Sequence, residues 1–396
     1  MAAARERRPG RGGIEGGTCG SGTERGGVMR SLAVVGGGVV GLAVAWRAAE
    51  QGWSVTIIDP AVGSGASWVA GGMLAPLSEG WPGEDDLLEF GAASLRRWPE
   101  FGAGLRAATG VDVFVADRTL TLALDGADAA DLRTIADFCG VHGYPMRVLN
   151  RAEVRAAESG VSRTVRAGLL AAEEPAVDNR LLVQALRTAC EKAGVHIRAE
   201  SVSTVDELDQ DRIVLAAGSA SARLWDVPVR PVKGEILRLR RRPGTPPPPR
   251  HVIRARVYGR PIYLVPRADG LVVGATQYEA GFDTTVTVAG VRDLIADAEA
   301  IWPALGEYEL AEAAAGARPS TPDNLPLIGR LTERVVAATG HGRNGILGVP
   351  LTVDAVAALL AGDELPEAKA ADPRRFTATA TPGAGGGNAP ISGGNQ

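Results

Sequence analysis

The feature that most constrains this chain is a glycine-rich turn between two apolar runs near its N-terminus. Residues 32–35 form a short apolar run, and residues 36–41 read Gly-x-Gly-x-x-Gly. Residues 42–50 have the composition of a helix, and residues 53–58 form a second apolar run that ends at Asp59. A strand, a helix and a second strand in this order predict the β-α-β unit of a parallel sheet. The fold class is therefore α/β, and Rossmann-like at its start.

Each element of this unit has a physical task in dinucleotide binding. Gly36 permits the tight turn, Gly38 lets the backbone approach a pyrophosphate, and Gly41 lets the helix pack closely on the strand. The helix N-terminus offers N–H groups and a partial positive charge to the phosphates. Asp59, at the end of the second strand, can accept hydrogen bonds from ribose hydroxyls. A dinucleotide site is predicted, and the motif alone leaves FAD and NAD open.

The remainder of the chain indicates a composite of two domains. Its 396 residues exceed the usual length of about 100–200 residues for one domain. Residues 87–108 have helical spacing, and residues 111–124 alternate like a pair of strands. Strand-helix units at both ends surround a strand-rich middle, which favours a nucleotide-binding domain built from discontinuous segments and an α+β substrate domain with a mainly antiparallel sheet. The predicted limits are 1–28 for a disordered extension, 29–90, 160–232 and 315–366 for the nucleotide-binding domain, 91–159 and 233–314 for the substrate domain, and 373–396 for a disordered tail.

Composition excludes several classes of protein. With 45% hydrophobic and 22% charged residues, the chain has globular composition, and a net charge of −4 argues against a nucleic-acid partner. The three cysteines form no Cys-x-x-Cys pair, so neither a disulfide framework nor a metal site is expected. The apolar run Ser31–Trp46 is shorter than the roughly 20 residues that span a membrane. Residues 1–27 lack the apolar run of a signal peptide. A cytoplasmic protein with no membrane association is expected, with translation starting at Met29.

Two arginines are the leading candidates for substrate contacts. Arg318 lies in a stretch of small residues and prolines, and Arg343 lies in the glycine-rich turn after the last predicted strand. A guanidinium holds a carboxylate in a two-pronged geometry that lysine does not reproduce. An ordinary surface salt bridge remains the alternative for each arginine alone. No nucleophile triad, carboxylate pair or metal cluster has convincing spacing, which favours a redox cofactor that carries the chemistry.

A series of sequence strings resembles the D-amino-acid oxidase-like family of flavoproteins, in the family's order. The resemblance covers roughly residues 29–365. It implies noncovalent FAD, since no cysteine lies near Arg318 for a covalent link to flavin. The strings are Gly36–Asp59, Ala70–Leu74, Pro231–Glu235, Tyr263–Arg267, Val272–Thr276, Arg318–Asp323 and Gly340–Leu347.

Within that family the chain is most similar to the branch that oxidises glycine for thiamine biosynthesis. The resemblance implies that the α-carbon loses a hydride to flavin N5, and that O₂ reoxidises the flavin and gives H₂O₂. The imine then yields glyoxylate and ammonia, or passes to thiazole synthase. A relative that oxidises or dehydrogenates a D-amino acid or an N-methyl amino acid such as sarcosine is the alternative. A flavoprotein that passes electrons to a protein partner, or that is not catalytic, is a third hypothesis.

The resemblance also assigns roles to residues of this chain. Arg318 binds the substrate carboxylate, Arg343 is a second substrate contact, and Tyr263 lies over the substrate. Gln277 stands where the resembled branch carries Met, so the preferred side chain stays open. His341 suits a contact with flavin and is not assigned as a base. The implied cofactor contacts are Gly36, Gly38, Val39, Val40, Gly41, Asp59, Pro60, Ala66, Ser67, Gly71, Gly72, Met73, Val202, His341, Gly342, Arg343, Asn344, Gly345, Ile346 and Leu347. Families of this kind often form tetramers, so a homo-oligomer is expected.

Overall fold

The computed structural model describes residues 30–376. The predicted extension 1–28, the start residue Met29 and the tail from residue 377 therefore lie outside the described residues. Residues 373–376, which were predicted as part of the disordered tail, form a short 3₁₀ helix. No helix among the described residues is long and apolar enough to cross a membrane.

The strands of the described residues build two large sheets and one two-stranded ribbon. In chain order they are β1 (Ser31–Val35), β2 (Ser54–Ile58), β3 (Phe114–Ala116), β4 (Thr119–Ala123), β5 (Arg147–Asn150), β6 (Ala167–Ala171), β7 (Ala176–Val177), β8 (His196–Arg198), β9 (Arg212–Leu215), β10 (Arg230–Arg240), β11 (Val252–Val257), β12 (Arg260–Arg267), β13 (Gly270–Gly274), β14 (Glu309–Ser320), β15 (Leu327–Arg330) and β16 (Val335–Thr339). The α-helices are α1 (Val39–Glu50), α2 (Gly65–Val69), α3 (Asp85–Thr109), α4 (Gly126–Val141), α5 (Arg151–Ala157), α6 (Asn179–Lys192), α7 (Ser221–Leu224), α8 (Val288–Ile301) and α9 (Val349–Ala361).

The six-stranded sheet confirms the predicted Rossmann-like unit. Its order is β15-β16-β9-β1-β2-β8, and all of its pairs are parallel except the pair between β15 and β16. Strand β1 lies between β2 and β9, so the glycine-rich turn emerges beside the carboxyl ends of three parallel strands. Helix α1 packs against α6 and α9. Because α1 is covered on nearly all sides, its sequence is apolar around most of its circumference.

The eight-stranded sheet confirms the mainly antiparallel sheet predicted for the substrate domain. Its order is β14-β10-β13-β12-β11-β4-β6-β5, and the pair between β11 and β4 is parallel. Strand β6 belongs to this sheet, and so does β14, which extends to residue 320. The predicted limits assign residues 167–171 and 315–320 to the nucleotide-binding domain, but these residues lie in the sheet of the substrate domain.

The predicted pairing within residues 111–124 is wrong. Strand β3 pairs with β7 in the two-stranded ribbon, whereas β4 pairs with β6 and β11 in the eight-stranded sheet. Alternation of apolar and polar residues identifies a half-buried strand but carries no information on which strand lies beside it. The connection between β3 and β4 leads from one sheet into another, so two adjacent strands in sequence are not neighbours in a sheet.

Candidate cofactor and substrate cavity

One cavity of about 760 Å³ lies where the two large sheets meet. Its walls include the turn after β1, the segment around α2, the carboxyl ends of β9 and β16, and parts of β10, β11, β12 and β14. The position beside the carboxyl ends of parallel strands is where open α/β sheets bind ligands. The volume lies within the usual range for small-molecule sites.

Glycine is required sterically at both ends of the turn after β1. Gly36 has a φ of +109°, and a Cβ atom there would lie 2.3 Å from the carbonyl oxygen of Ala216. A Cβ atom on Gly41 would lie 1.9 Å from the carbonyl oxygen of Gly36. Since either contact would force the backbone apart, the turn and the close packing of α1 both depend on these glycines.

Polar groups around the start of α1 hold the turn in place. The hydroxyl oxygen of Ser67 accepts a hydrogen bond from the N–H of Val39 at 3.1 Å. The carboxylate of Asp59 accepts from the N–H groups of Gly37 and Ala61, each at 2.7 Å. Asp59 lines the cavity, and each of its oxygens keeps a second lone pair for a ligand hydroxyl.

Arg318 is a guanidinium without an acidic partner at the other end of the cavity. It lies near the end of β14, and its Nη1 lies 3.3 Å from the carbonyl oxygen of Thr276 and 3.5 Å from that of Lys233. No carboxylate among the described residues lies within salt-bridge distance of it. A Cβ atom at Gly234 would lie 2.3 Å from Nη1, so the glycine in Lys233-Gly234-Glu235 makes room for the guanidinium.

Tyr263 and Gln277 line the cavity with Arg318. The Tyr263 ring lies against the backbone of Gly71 and Gly274, where a Cβ atom would meet it at 2.8 and 2.2 Å. Burial raises the pKa of the Tyr263 phenol, so its hydroxyl stays protonated at neutral pH. Neither the Tyr263 hydroxyl nor the Gln277 amide has a hydrogen-bond partner among residues 30–376.

Arg343 lines the cavity but is already paired. Its Nε donates to Glu79 Oε2 at 2.5 Å, and its Nη2 lies 3.8 Å from Glu84. Glu79 also pairs through Oε1 with Arg254 at 3.0 Å, and Arg254 donates to the Ser78 hydroxyl. The sequence predicts Arg343 to be either a substrate contact or part of a surface salt bridge. In the structure it forms a salt bridge that is itself part of the cavity wall.

Glu79 stays ionised in this cluster. Burial raises the pKa of its carboxyl, but the guanidinium groups of Arg254 and Arg343 outweigh burial and hold the pKa below its usual range. The sequence analysis missed both Glu79 and Arg254. Glu79 follows the Gly71–Leu74 string closely, which is the one sequence signal that points to it.

A buried network outside the cavity holds α2 and the residues that follow it. Asn179 donates through Nδ2 to the carbonyl oxygens of Ser67 and Trp68, each at 2.9 Å. Its Oδ1 accepts from Arg238 at 2.9 Å and from Arg267 at 3.2 Å. Arg267 also donates to the carbonyl of Gly71 at 2.8 Å. All four bonding positions of the Asn179 amide are thus occupied, and sequence analysis missed this residue.

His341 is neutral in the cavity wall. Its Nε2 lies 2.9 Å from the Thr352 hydroxyl, and that hydroxyl donates its proton to the carbonyl of Gly348 at 2.7 Å. Nε2 therefore carries the hydrogen, and Nδ1 is the unprotonated nitrogen. Burial lowers the pKa of His341 to about 4.

Comparison with known proteins identifies the family. The family described as FAD dependent oxidoreductase matches residues 31–359. The chain belongs to this family. This oxidoreductase is 31% identical over 347 residues to the glycine oxidase of Geobacillus kaustophilus, a match that covers 81% of this chain and 90% of that protein.

Other relatives agree with this assignment. The bifunctional protein ThiO/ThiG of Synechocystis is 32% identical over 372 residues, which cover 88% of the oxidoreductase and 54% of that protein. The chain thus spans about half the length of the first curated relatives it matches. The crystal structure of glycine oxidase from Geobacillus kaustophilus superposes with a TM-score of 0.80 at 29% identity, over 88% of this chain and 99% of that chain. The Rossmann-like fold with a second, mainly antiparallel sheet is therefore the fold of its relatives.

The cavity of the oxidoreductase brings together most of the residues predicted from sequence. Those that line it are Gly36, Gly38, Val39, Val40, Asp59, Ala66, Ser67, Gly71, Gly72, Met73, Tyr263, Gln277, Arg318, His341, Gly342, Arg343, Asn344, Gly345 and Ile346. No group of three or more metal-ligating side chains occurs in the described part of the chain.

Four of the predicted cofactor contacts do not line the cavity. Gly41 lies beneath the turn, against Gly36, and Pro60 follows Asp59 without reaching the cavity wall. Val202 packs against the apolar cluster that contains Ala33 and Ile58. Leu347 is buried, and its carbonyl accepts hydrogen bonds from Ser94 and Trp98. The side chains of Val202 and Leu347 therefore belong to the hydrophobic packing beside the cavity.

Proposed function

We propose that this oxidoreductase binds FAD noncovalently and oxidises glycine to the imine, which water converts to glyoxylate and ammonia. The observation that carries the proposal is Arg318, a guanidinium with no acidic partner in the described structure, in the same cavity as a dinucleotide-type turn. When bound, FAD supplies the acceptor for the hydride from the substrate α-carbon and passes two electrons to O₂, which becomes H₂O₂.

The residues of the cavity fit FAD. The glycines at 36 and 41 shape the turn, the start of α1 faces the cavity, and Asp59 offers carboxylate oxygens to a ribose. Both cysteines among the described residues, Cys139 and Cys190, are buried away from the cavity wall. Burial raises their thiol pKa values to about 11 and 12, so neither is a thiolate that would bond to a flavin.

Charge selects a substrate with one carboxylate. Within the cluster, Glu79 and Glu84 form ion pairs with Arg254 and Arg343, whereas Arg318 has no carboxylate of the described residues within salt-bridge distance. A bound carboxylate would complete the pairing and would form two parallel hydrogen bonds with the guanidinium. The Tyr263 ring, which is wedged against two glycines, closes the space beside Arg318 and favours a small amino acid.

The side chains of this site are poor candidates for removing a proton in the oxidation, because the ionised Glu79 is held by Arg254 and Arg343. His341 has a low pKa and the Tyr263 phenol has a raised one, so both are neutral at pH 7. The chain instead orients the substrate, with the carboxylate on Arg318 and the α-carbon toward the cofactor, and this positioning supplies the catalysis. The substrate amine enters neutral and its nitrogen keeps the lone pair that becomes the C=N bond.

A D-amino acid or an N-methyl amino acid such as sarcosine is the second candidate substrate. The observation that favours it is Gln277, whose amide is exposed at the cavity wall and has no partner in the described structure. Transfer of the product to thiazole formation is a further part of the proposal. Its support is the name of the Synechocystis relative, which joins ThiO and ThiG in one chain.

Absorption of the purified protein under anaerobic conditions tests the proposal. Flavin bands near 370 and about 450 nm are expected, and they should bleach when glycine is added. Bleaching with D-alanine or sarcosine but not with glycine would transfer the assignment to the second candidate. A flavoprotein that none of these reduces would be a carrier or a different oxidoreductase, and a protein that cannot be loaded with FAD would refute the proposal.

A further inference from the structure

A buried lysine lies directly behind the substrate end of the cavity. Lys233 is 2% exposed, on strand β10, and pairs with Ala317 of β14, which precedes Arg318. Its ammonium group lies 3.0 Å from Asp283 Oδ2, donates to the carbonyl of Thr285, and lies 3.9 Å from Glu235 Oε1. A buried ammonium is costly unless it is paired, so these contacts fix the residues around it.

Of these partners, Asp283 and Thr285 lie on the loop that leads from β13 to α8, here called the 276–287 loop, and Glu235 lies on β10. The backbone of Lys233 forms two hydrogen bonds with Tyr278, at 2.9 and 3.0 Å. Gln277, which precedes Tyr278, is part of the cavity wall. Lys233 therefore holds the loop twice, through its backbone at Tyr278 and through its side chain at Asp283.

The same loop provides the support for Arg318. The guanidinium is bonded to the carbonyls of Lys233 and Thr276, one on β10 and one at the start of the loop. Thr276 is fixed by Glu235, which accepts from its hydroxyl at 3.2 Å, and Glu235 also accepts from the N–H of Thr287 at 2.8 Å. A displacement of the loop would move one of the two carbonyls that orient Arg318.

We propose that Lys233 and Asp283 are a positioning pair that sets substrate affinity and selectivity, because it fixes both Gln277 and the carbonyl support of Arg318. The inference rests on the proposed function, in that Arg318 receives the substrate carboxylate. Neither Lys233 nor Asp283 lines the cavity, so the pair acts through the residues that do.

Two acids on the 276–287 loop offer a matched comparison. Asp283 pairs with the buried Lys233, whereas Glu279 pairs with Arg230, and both members of that second pair are exposed. In D283A the KM for glycine is expected to rise about three- to tenfold, with kcat changed less than about twofold. The reason is the loss of the ion pair between the half-exposed Asp283 and the buried Lys233. E279A should leave both constants near those of the wild type. D283N keeps an acceptor oxygen and should recover most of the affinity.

Binding of acetate to the FAD-loaded protein gives a readout that needs no turnover. Acetate offers Arg318 a carboxylate and has no amine to form a C=N bond, so it binds without being oxidised. Its dissociation constant, followed through the flavin absorption, should rise in D283A as KM does. The FAD content should stay near that of the wild type, and the melting temperature of D283A should fall because the buried Lys233 ammonium loses an acidic partner. If D283A does not fold, K233M carries the same expectation.

Three results would overturn the positioning role. These are an unchanged KM and acetate affinity in D283A, an equal rise in E279A, and a loss confined to kcat. The proposed function fails separately, if glycine does not reduce the FAD-loaded wild type. In that case the acetate measurement still reports on Lys233 and Asp283.

Discussion

At the scale of single residues, the pairing of each arginine predicts how much substrate binding depends on it. Arg318 has only carbonyl partners, whereas Arg343 is bonded to Glu79. R318A is expected to raise the KM for glycine about 10- to 100-fold, because a hydrogen-bonded contact between charged groups is lost. R343A should raise KM by a clearly smaller factor. Oxygen consumption at varied glycine concentrations measures both, and a larger effect of R343A would contradict the assignment.

The same arginines show what sequence can and cannot give at this scale. Arg318 and Tyr263 were predicted from their strings, and both line the cavity. The partner of Arg343 was not predicted, since Glu79 lies 264 positions away and no local pattern joins two such residues. The side chain of Val202 packs against the cluster of Ala33 and Ile58, and its predicted cofactor contact, which is made through the backbone, stays a prediction.

At the scale of elements, the first turn of α6 predicts a dependence of FAD affinity on a residue outside the cavity. Asn179 holds the carbonyls of Ser67 and Trp68, and Ser67 in turn bonds the start of α1. N179A is expected to weaken FAD binding about tenfold, since α2 loses two hydrogen bonds and two arginines lose an acceptor. Titration of the apoprotein with FAD, followed by flavin fluorescence, measures this affinity.

N150A is the matched control for N179A. Asn150 caps the start of α5, where its side chain accepts from the N–H groups of Ala152 and Glu153, and its side chain makes no hydrogen bond to a residue of the cavity wall. Its replacement should lower the free energy of unfolding by about 1 kcal/mol through loss of the helix cap, with FAD affinity unchanged. Equal FAD affinities in N179A and the wild type would show that α2 is held without Asn179.

Elements were predicted with uneven success, for a physical reason. Strands β1 and β2 and helix α1 were predicted closely, because turn chemistry and hydrophobic periodicity act over a few residues. The pairing of β3 with β7 depends on residues about 60 positions apart, and local alternation does not encode it. The same limit hid the Asn179 network, whose members come from α6, β10 and β12.

At the scale of the whole molecule, two buried groups give stability opposite dependences on pH. Burial raises the pKa of Glu174 to about 7 from 4.5, and burial lowers the pKa of His341 to about 4 from 6.5. Glu174 therefore binds its proton more tightly in the folded state, so its contribution is fully present below pH 4.5 and is lost as pH rises to 7. His341 binds its proton less tightly when folded, so stability falls as pH drops from 6.5 to 4.

When one of these two groups is substituted, the pH dependence of stability that remains should be that of the other group. Each shift corresponds to about 3 kcal/mol at its limit, and the two slopes offset each other between pH 4.5 and 6.5. Relative to the wild type, E174Q should lose stability more steeply as pH falls through this window, and H341Q more steeply as pH rises. Melting temperatures of FAD-loaded proteins across this range measure the difference. Glu174 accepts hydrogen bonds from the N–H groups of Leu77 and Ser78, which precede Glu79, so its substitution also removes contacts that hold this part of the cavity wall. Parallel curves for the wild type and both variants would show that neither group titrates differently on folding.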